Sequence, residues 1–503
     1  MAGNNATGQS RMNIEQQHKA DKTGFLAAFF IVVSVAALIY FQQASILAIA
    51  LLTAILIPVF YLLFVNKSVL LQVTMLLVPL SLKITSESTG ASVAAPSEFL
   101  ISLIVLFTIP VLMFGNRIDR KILMHPITLL LFADTAWMIF TAVTSEMPDV
   151  SFKRVIMRII FITGYYFIFA HLFKDKKILS RPHLLYAIGL VPAIFYIWYS
   201  HAEYNFDPRT AFDITRPFYP EHTSYAAAIA FVIPFVTIFL FNAKIFTANK
   251  TRRNWLIVLL VILYAAEFLA YSRAAIISLG IVVVLYGMIR LFKVKLWHLL
   301  SMMFVATVFI FSFSGQLLEW ARTNDAVSND GNISNHYKSV TNITRDASNL
   351  ERLNRWICAY RMFEERPLTG FGPGTYQFQY AEFQTIDNTT TISTTKGDRG
   401  NAHSEYLSSL SEMGIIGLFS FVGLTLYTIY LGLTLYYART DKQIRCIVLA
   451  TILGLFTFFF HGFFNAFLDQ DKMTALVFPA LAILVAIDVY HKNQSDTTDQ
   501  VAA

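Results

Sequence analysis

The feature that most constrains this chain is a series of apolar blocks, each roughly the 17–25 residues that an α-helix needs to cross a hydrocarbon core. They fall at 24–41, 44–64, 68–84, 98–115, 126–144, 154–173, 183–200, 223–243, 254–271, 274–290, 298–317, 414–437, 445–463 and 473–490. In lipid every backbone N–H and C=O must be paired inside the protein, so blocks of this length are expected to be helices. Some connections are too short to hold a domain: only Phe41-Gln42-Gln43 divides the first pair, and Tyr271-Ser272-Arg273 turns the chain between two later blocks. An all-α polytopic membrane fold with about 12–14 transmembrane helices follows. Composition excludes the soluble alternative, since 14% of the 503 residues are charged against 56% hydrophobic, too little charge to cover a globular surface.

Charge then assigns the two sides. With a cytoplasmic N-terminus, alternate loops carry Arg120 and Lys121; Lys174, Lys176, Lys177 and Arg181; Lys250, Arg252 and Arg253; Lys293 and Lys295; and Arg439, Lys442 and Arg445. The opposite loops are acidic or mixed, with Glu87, Glu146, Asp149, Glu203, Asp207, Asp469 and Asp471. This asymmetry is the positive-inside pattern, and it places both termini in the cytoplasm. The net charge of +7 therefore marks loops of a membrane protein and does not point to nucleic acid. The polar first 23 residues lead into one apolar block and then another, which reads as a first span and not as a cleaved signal. The two cysteines, Cys358 and Cys446, fall on opposite sides, so a disulfide between them is not expected.

The expected organisation is a cytoplasmic tail at 1–23, a helix bundle at 24–317, an outer loop region at 318–402, further spans at 403–490 and a tail at 491–503. The long loop is expected to hold a helix over 349–365, where Leu353, Trp356, Ile357, Tyr360 and Phe363 recur on a helical period. That helix stops at Pro367 and enters the turn Gly370-Phe371-Gly372-Pro373-Gly374. The turn either presents backbone N–H groups to a ligand or simply ends the helix. Residues 381–400 are expected to be mobile.

Candidate chemical residues gather on the outer side. Arg273 opens a helix at the membrane edge, where free N–H groups and a cation suit an anion, or where a snorkelling side chain touches lipid headgroups. Arg216, in Thr215-Arg216-Pro217, and Arg209 lie on the outer loop 201–222. His403 stands in Asn401-Ala402-His403-Ser404-Glu405-Tyr406-Leu407, where the long loop returns to the membrane, and an imidazole there suits a general base. Glu405 either orients an acceptor hydroxyl or caps the following helix. Arg154 and Arg158, with Lys153, open a span on the outer side against the charge pattern, which points to an anionic partner or a lipid headgroup. Asp469-Gln470-Asp471 has the form of a metal-binding acidic pair, but nothing nearby in sequence supplies further ligands, so no metal is assigned.

Four segments together resemble the O-antigen ligase and polymerase superfamily of bacterial membrane glycosyltransferases. They are Tyr271-Ser272-Arg273-Ala274-Ala275; Arg355-Trp356 leading to Glu365-Arg366-Pro367-Leu368-Thr369-Gly370-Phe371-Gly372-Pro373-Gly374; the Asn401–Leu407 segment; and Glu412-Met413-Gly414-Ile415-Ile416-Gly417-Leu418. The resemblance implies a GT-C-like fold with a large periplasmic loop between late helices, in a bacterial inner membrane. It implies an undecaprenyl diphosphate-linked glycan as donor and an acceptor hydroxyl on lipid A-core or another glycan. Transfer would invert the anomeric centre without a metal or other cofactor. It further implies that Arg273 and Arg216 hold the diphosphate and that His403 activates or positions the acceptor. The surroundings of Arg216 depart from the family's form, and Arg209 is the substitute. Arg355 and Trp356 either pack their helix or contact sugar. A ligase is the first reading. A polymerase, a protein O-oligosaccharyltransferase and a lipid-linked glycan transporter follow in that order.

Overall fold

The computed structural model describes residues 67–85, 92–114, 118–246, 249–312, 347–384 and 400–492. The expected spans at 24–41 and 44–64, the N-terminal tail, residues 493–503 of the C-terminal tail and most of the 381–400 segment lie outside these residues. In the described chain the longer helices are α1 Lys67–Leu77, α2 Ser97–Phe114, α3 Pro126–Val143, α4 Pro148–Leu172, α5 Arg181–Ala202, α6 His222–Phe241 and α7 Lys250–Leu269. They continue as α8 Arg273–Leu291, α9 Leu296–Ser312, α10 Ala347–Glu365, α11 Glu405–Ala438, α12 Lys442–His461 and α13 Asp471–Tyr490. Eight of them, α3, α4, α5, α6, α8, α11, α12 and α13, are long and apolar enough to cross a membrane. The chain is an all-α, multi-pass membrane protein.

Burial orders the bundle. In α6 and α13, 83% of the most apolar stretch is enclosed by protein, against 39% in α3 and 28% in α8. The first pair forms the centre and the second the rim. Rim helices expose Phe132, Phe140 and Val143 on α3 and Val283 and Val284 on α8, side chains that lipid solvates and water would not. Helix α6 meets α12 closely because Gly454 lacks a side chain: a Cβ there would lie 2.9 Å from the Phe231 carbonyl oxygen.

One expected span has a different form. Over 68–84, α1 ends before a turn of 3-10 helix at Val78–Leu80 that contains Pro79. The chain then forms an antiparallel hairpin, Leu82–Thr85 with Ser92–Ala95, pairing Leu82 with Ala95. Proline removes an N–H and disfavours continuation of the helix, and Leu82-Lys83-Ile84-Thr85 has the alternation of a strand.

The loop ends sort as the charge pattern requires. At one end Lys176 pairs with Asp441, Arg439 with Asp488 at 3.2 Å, and His491 contacts the Phe173 carbonyl at 2.7 Å. At the other end Arg366 pairs with Glu146, Arg154 with Asp469, and Asn401 donates to the Ala466 carbonyl at 2.8 Å. Basic loops thus meet each other at one end, and every loop that carries a candidate site residue lies at the opposite end.

Candidate functional site

His403 is fixed by its backbone and by its neighbours. Its φ of 48° lies in the left-handed region, which a non-glycine residue adopts only when its surroundings hold it there. The Asn401 side chain accepts the His403 N–H at 3.0 Å, and the Trp356 indole N–H donates to the His403 carbonyl at 3.2 Å. Ser404 caps α11, accepting the Leu407 N–H at 3.4 Å and donating to the Gly462 carbonyl at 3.2 Å. Loss of solvent, then the guanidiniums of Arg355 and Arg352, hold the His403 imidazole well below its ordinary pKa. The ring is therefore unprotonated at neutral pH, the form a general base needs.

The turn between α12 and α13 is stitched to this segment. The Glu405 N–H donates to the Gly462 carbonyl at 2.8 Å, and the Glu405 carboxylate accepts from the Phe467 and Leu468 N–H groups at 2.5 and 2.6 Å. Glu405 is 6% exposed and faces this turn. Asp469, just beyond, pairs with Arg154 and lies 3.7 Å from Arg158. Two of the positive charges that break the sidedness pattern, Arg154 and Arg158, thus have a partner within the protein. Asp471 is engaged separately by Ser97. Among the described residues no three His, Cys, Asp or Glu side chains converge as a metal site requires.

Arg355 and Trp356 hold α10 against the His403 turn. Arg355 is 4% exposed, with Nε 2.8 Å from Glu351, Nη1 donating to the Asn401 carbonyl at 3.1 Å, and its plane over the Tyr380 ring at 5.1 Å. The Trp356 ring lies 6.3 Å from that of Phe464.

The Gly-rich turn also has a structural task. Phe371 and Gly372 donate their N–H groups to the Ser411 and Glu412 carbonyls at 3.1 and 2.9 Å, and Ile415 donates to the Pro367 carbonyl at 2.9 Å. The dock requires Gly414, whose φ of 67° breaks the helical path inside α11 and whose missing Cβ makes room for the Leu368 carbonyl. Of the two expectations for this turn, the helix-ending one describes it, because those N–H groups already have carbonyl partners.

Arg273 is the first residue of α8, after Tyr271 at φ 51°. The Tyr271 hydroxyl donates to the Phe206 carbonyl at 3.0 Å, which pins the loop after α5 to the Arg273 turn. That loop carries Arg209 and Arg216, both exposed, with Arg216 3.8 Å from Asp213. It ends at Glu221, whose carboxyl is raised by burial and lowered by a hydrogen bond from Thr223 and by Arg352 and Arg355. One segment therefore runs from the Arg273 turn to the surroundings of His403, with Arg209 and Arg216 along it.

This arrangement lies largely within, and partly beyond, a recognisable family segment. Residues 258–422 match the O-Antigen ligase family. The match holds Arg273, Arg355, Trp356, His403, Glu405 and the Gly414 dock, and the resemblance to the ligase and polymerase superfamily stands on it. It implies a glycosyl-transferring enzyme that works on glycan and lipid-linked substrates in a membrane. No curated protein matches the chain. Glu221 and the 461–468 turn lie outside the matched residues and reach the site only through the fold. Sequence reasoning passed over Arg352, His461 and Asn465. The signal for Arg352 was its position one helical turn before Trp356.

Proposed function

We propose that the chain is an inverting, metal-independent glycosyltransferase that moves a glycan from undecaprenyl diphosphate to an acceptor hydroxyl on the periplasmic side, with lipid A-core as the acceptor. The observation that carries this reading is His403, fixed at the head of α11 by Asn401 and Trp356, at the same bundle end as the Arg273 turn. In the step itself, His403 takes the acceptor's proton as the acceptor oxygen bonds to the anomeric carbon. The bond from that carbon to the diphosphate breaks, and the diphosphate leaves with the electron pair. Arg273, with Arg216 or Arg209, meets its charge through guanidinium hydrogen bonds. Both termini and the basic loops face the cytoplasm in this reading, in a bacterial inner membrane.

A specific observation keeps polymerase as the second reading. The 201–222 loop joins the Arg273 turn through Phe206 and approaches α10 through Glu221, so two outer loops build one site.

The test is transfer by the purified chain in EDTA, with lipid A-core and lipid-linked repeat units as separate acceptors. Arg273→Ala and His403→Ala should each reduce transfer by about 10²–10³-fold. The acceptor used separates ligase from polymerase. Folded variants that transfer as fast as the wild type would remove these residues from the mechanism.

A further inference from the structure

Helix α10 is not among the helices long and apolar enough to cross a membrane, yet it is apolar on two opposite faces. One face, with Cys358, Ala359 and Met362, packs into the loop's own core against Phe371, Tyr376 and Tyr380. At about 100° per residue the opposite face carries Leu353, Trp356, Ile357 and Tyr360. Leu353 is 47% and Tyr360 52% exposed, while Trp356 and Ile357 are half-buried. Arg352 and Arg361 border this stripe on its two sides, and the exposed Glu364 closes it at the C-terminal end. A loop helix surrounded by water turns a polar face outward. An apolar stripe edged by arginines is the pattern of a helix that lies in a membrane interface.

The attachments of α10 set its depth. The Trp356 indole donates to the His403 carbonyl, and its ring approaches Phe464, just past the end of α12. Beyond the C-terminus of α10, Ser145, just past the end of α3, donates to the Phe371 carbonyl at 3.2 Å. Both α3 and α12 are of spanning length, so their ends mark the membrane edge. A helix tied to two such ends runs along that edge. The apolar surface is also continuous with the lipid-facing rim. Leu368, 62% exposed, follows α10 and lies at the Gly414 step of α11, and the next turns of α11 expose Ile416 and Phe419.

We propose that the Leu353–Ile357–Tyr360 face of α10 is a membrane contact, seated at the headgroup–acyl boundary of the leaflet on the His403 side. The long loop then holds the His403 turn against the lipid surface through Trp356. The proposal does not depend on the transfer reading.

The experiment places the full chain in nanodiscs of phosphatidylcholine and phosphatidylglycerol, with one spin label each at Leu353→Cys, Tyr360→Cys, Glu365→Cys or Phe419→Cys. Cys358 is buried and Cys446 lies at the opposite bundle end, so label-treated wild type serves as the blank. Collision with oxygen, which partitions into lipid, is compared with collision with a water-soluble nickel chelate. The oxygen-to-nickel ratio at Leu353 and Tyr360 should shift towards that of the span position Phe419 and away from that of Glu365. A ratio at Leu353 and Tyr360 equal to that at Glu365 puts the face in water and overturns the proposal. Protection from both reagents means that another protein segment, of this chain or of a second copy, covers the face, and overturns it equally.

Discussion

Glu405 distinguishes a substrate residue from a structural anchor. One carboxylate oxygen accepts both the Phe467 and Leu468 N–H groups, at 2.5 and 2.6 Å, and the side chain is 6% exposed. Glu405→Ala would leave two buried donors without an acceptor. At about 1–3 kcal/mol for each unsatisfied group, the loss is roughly 2–6 kcal/mol. Glu405→Gln keeps an oxygen at the same place and loses only the charge assistance, part of which is offset by no longer burying a charge. Its cost is on the order of 1–2 kcal/mol. Thermal unfolding in detergent, followed by tryptophan fluorescence, should rank wild type above Gln and Gln well above Ala. Transfer should follow the same order, with Gln retaining most activity, because the carboxylate acts by holding the 461–468 turn against His403. The reasoning is refuted if Glu405→Ala melts with the wild type. It is refuted equally if Glu405→Gln is fully stable and inactive, which would make Glu405 a group that handles the acceptor.

Three further outcomes are expected. Because burial and then Arg355 and Arg352 depress the His403 pKa below its ordinary value, the acid limb of the transfer rate should lie below about pH 6.5. For the same reason the unfolded chain binds this proton more tightly, so stability should fall as pH drops from about 6.5 towards the folded value; an acid limb above pH 7, absent in His403→Ala, would contradict the shift. Gly414→Ala places an L-residue at φ 67°, costs at least about 1–2 kcal/mol from backbone conformation alone and adds a contact with the Leu368 carbonyl; a melting temperature equal to wild type would show that the dock is dispensable. Arg355→Gln removes the buried guanidinium that pairs with Glu351 and should destabilise the chain by about 3–5 kcal/mol, so protease sensitivity across α10 should rise, and an unchanged digestion pattern would count against the role given to Arg355.

Much of this protein follows from local pattern. Blocks of apolar residues determined the helices at 126–144, 183–200, 223–243 and 473–490, because in lipid an unpaired backbone leaves few alternatives. Loop charge sorted the two ends for a similarly general reason, and the sorted loops meet each other as expected. The periodicity of Leu353, Trp356 and Tyr360 located α10 to within two residues. The hairpin at 82–95 was hidden because its apolar strand continued an apolar helix.

The site was legible only in part. His403 and Arg273 could be named because each sits at a membrane edge in a recognisable segment. What their neighbours do could not be read, since ion pairing and burial depend on residues far apart in the chain. Arg154 and Arg158 read as charges facing an anionic partner or a lipid headgroup, and only the tertiary structure brought Asp469 to them. Arg355 read either as a packing residue or as a sugar contact until folding closed Glu351, Asn401 and Tyr380 around it. Sequence by itself determined which segments are long and apolar enough to cross a bilayer, because transfer of apolar surface is a property of each segment alone. The tertiary structure decided which charged groups neutralise one another and which remain for a ligand, because a pair of charges interacts through distance in space and not through position in the chain.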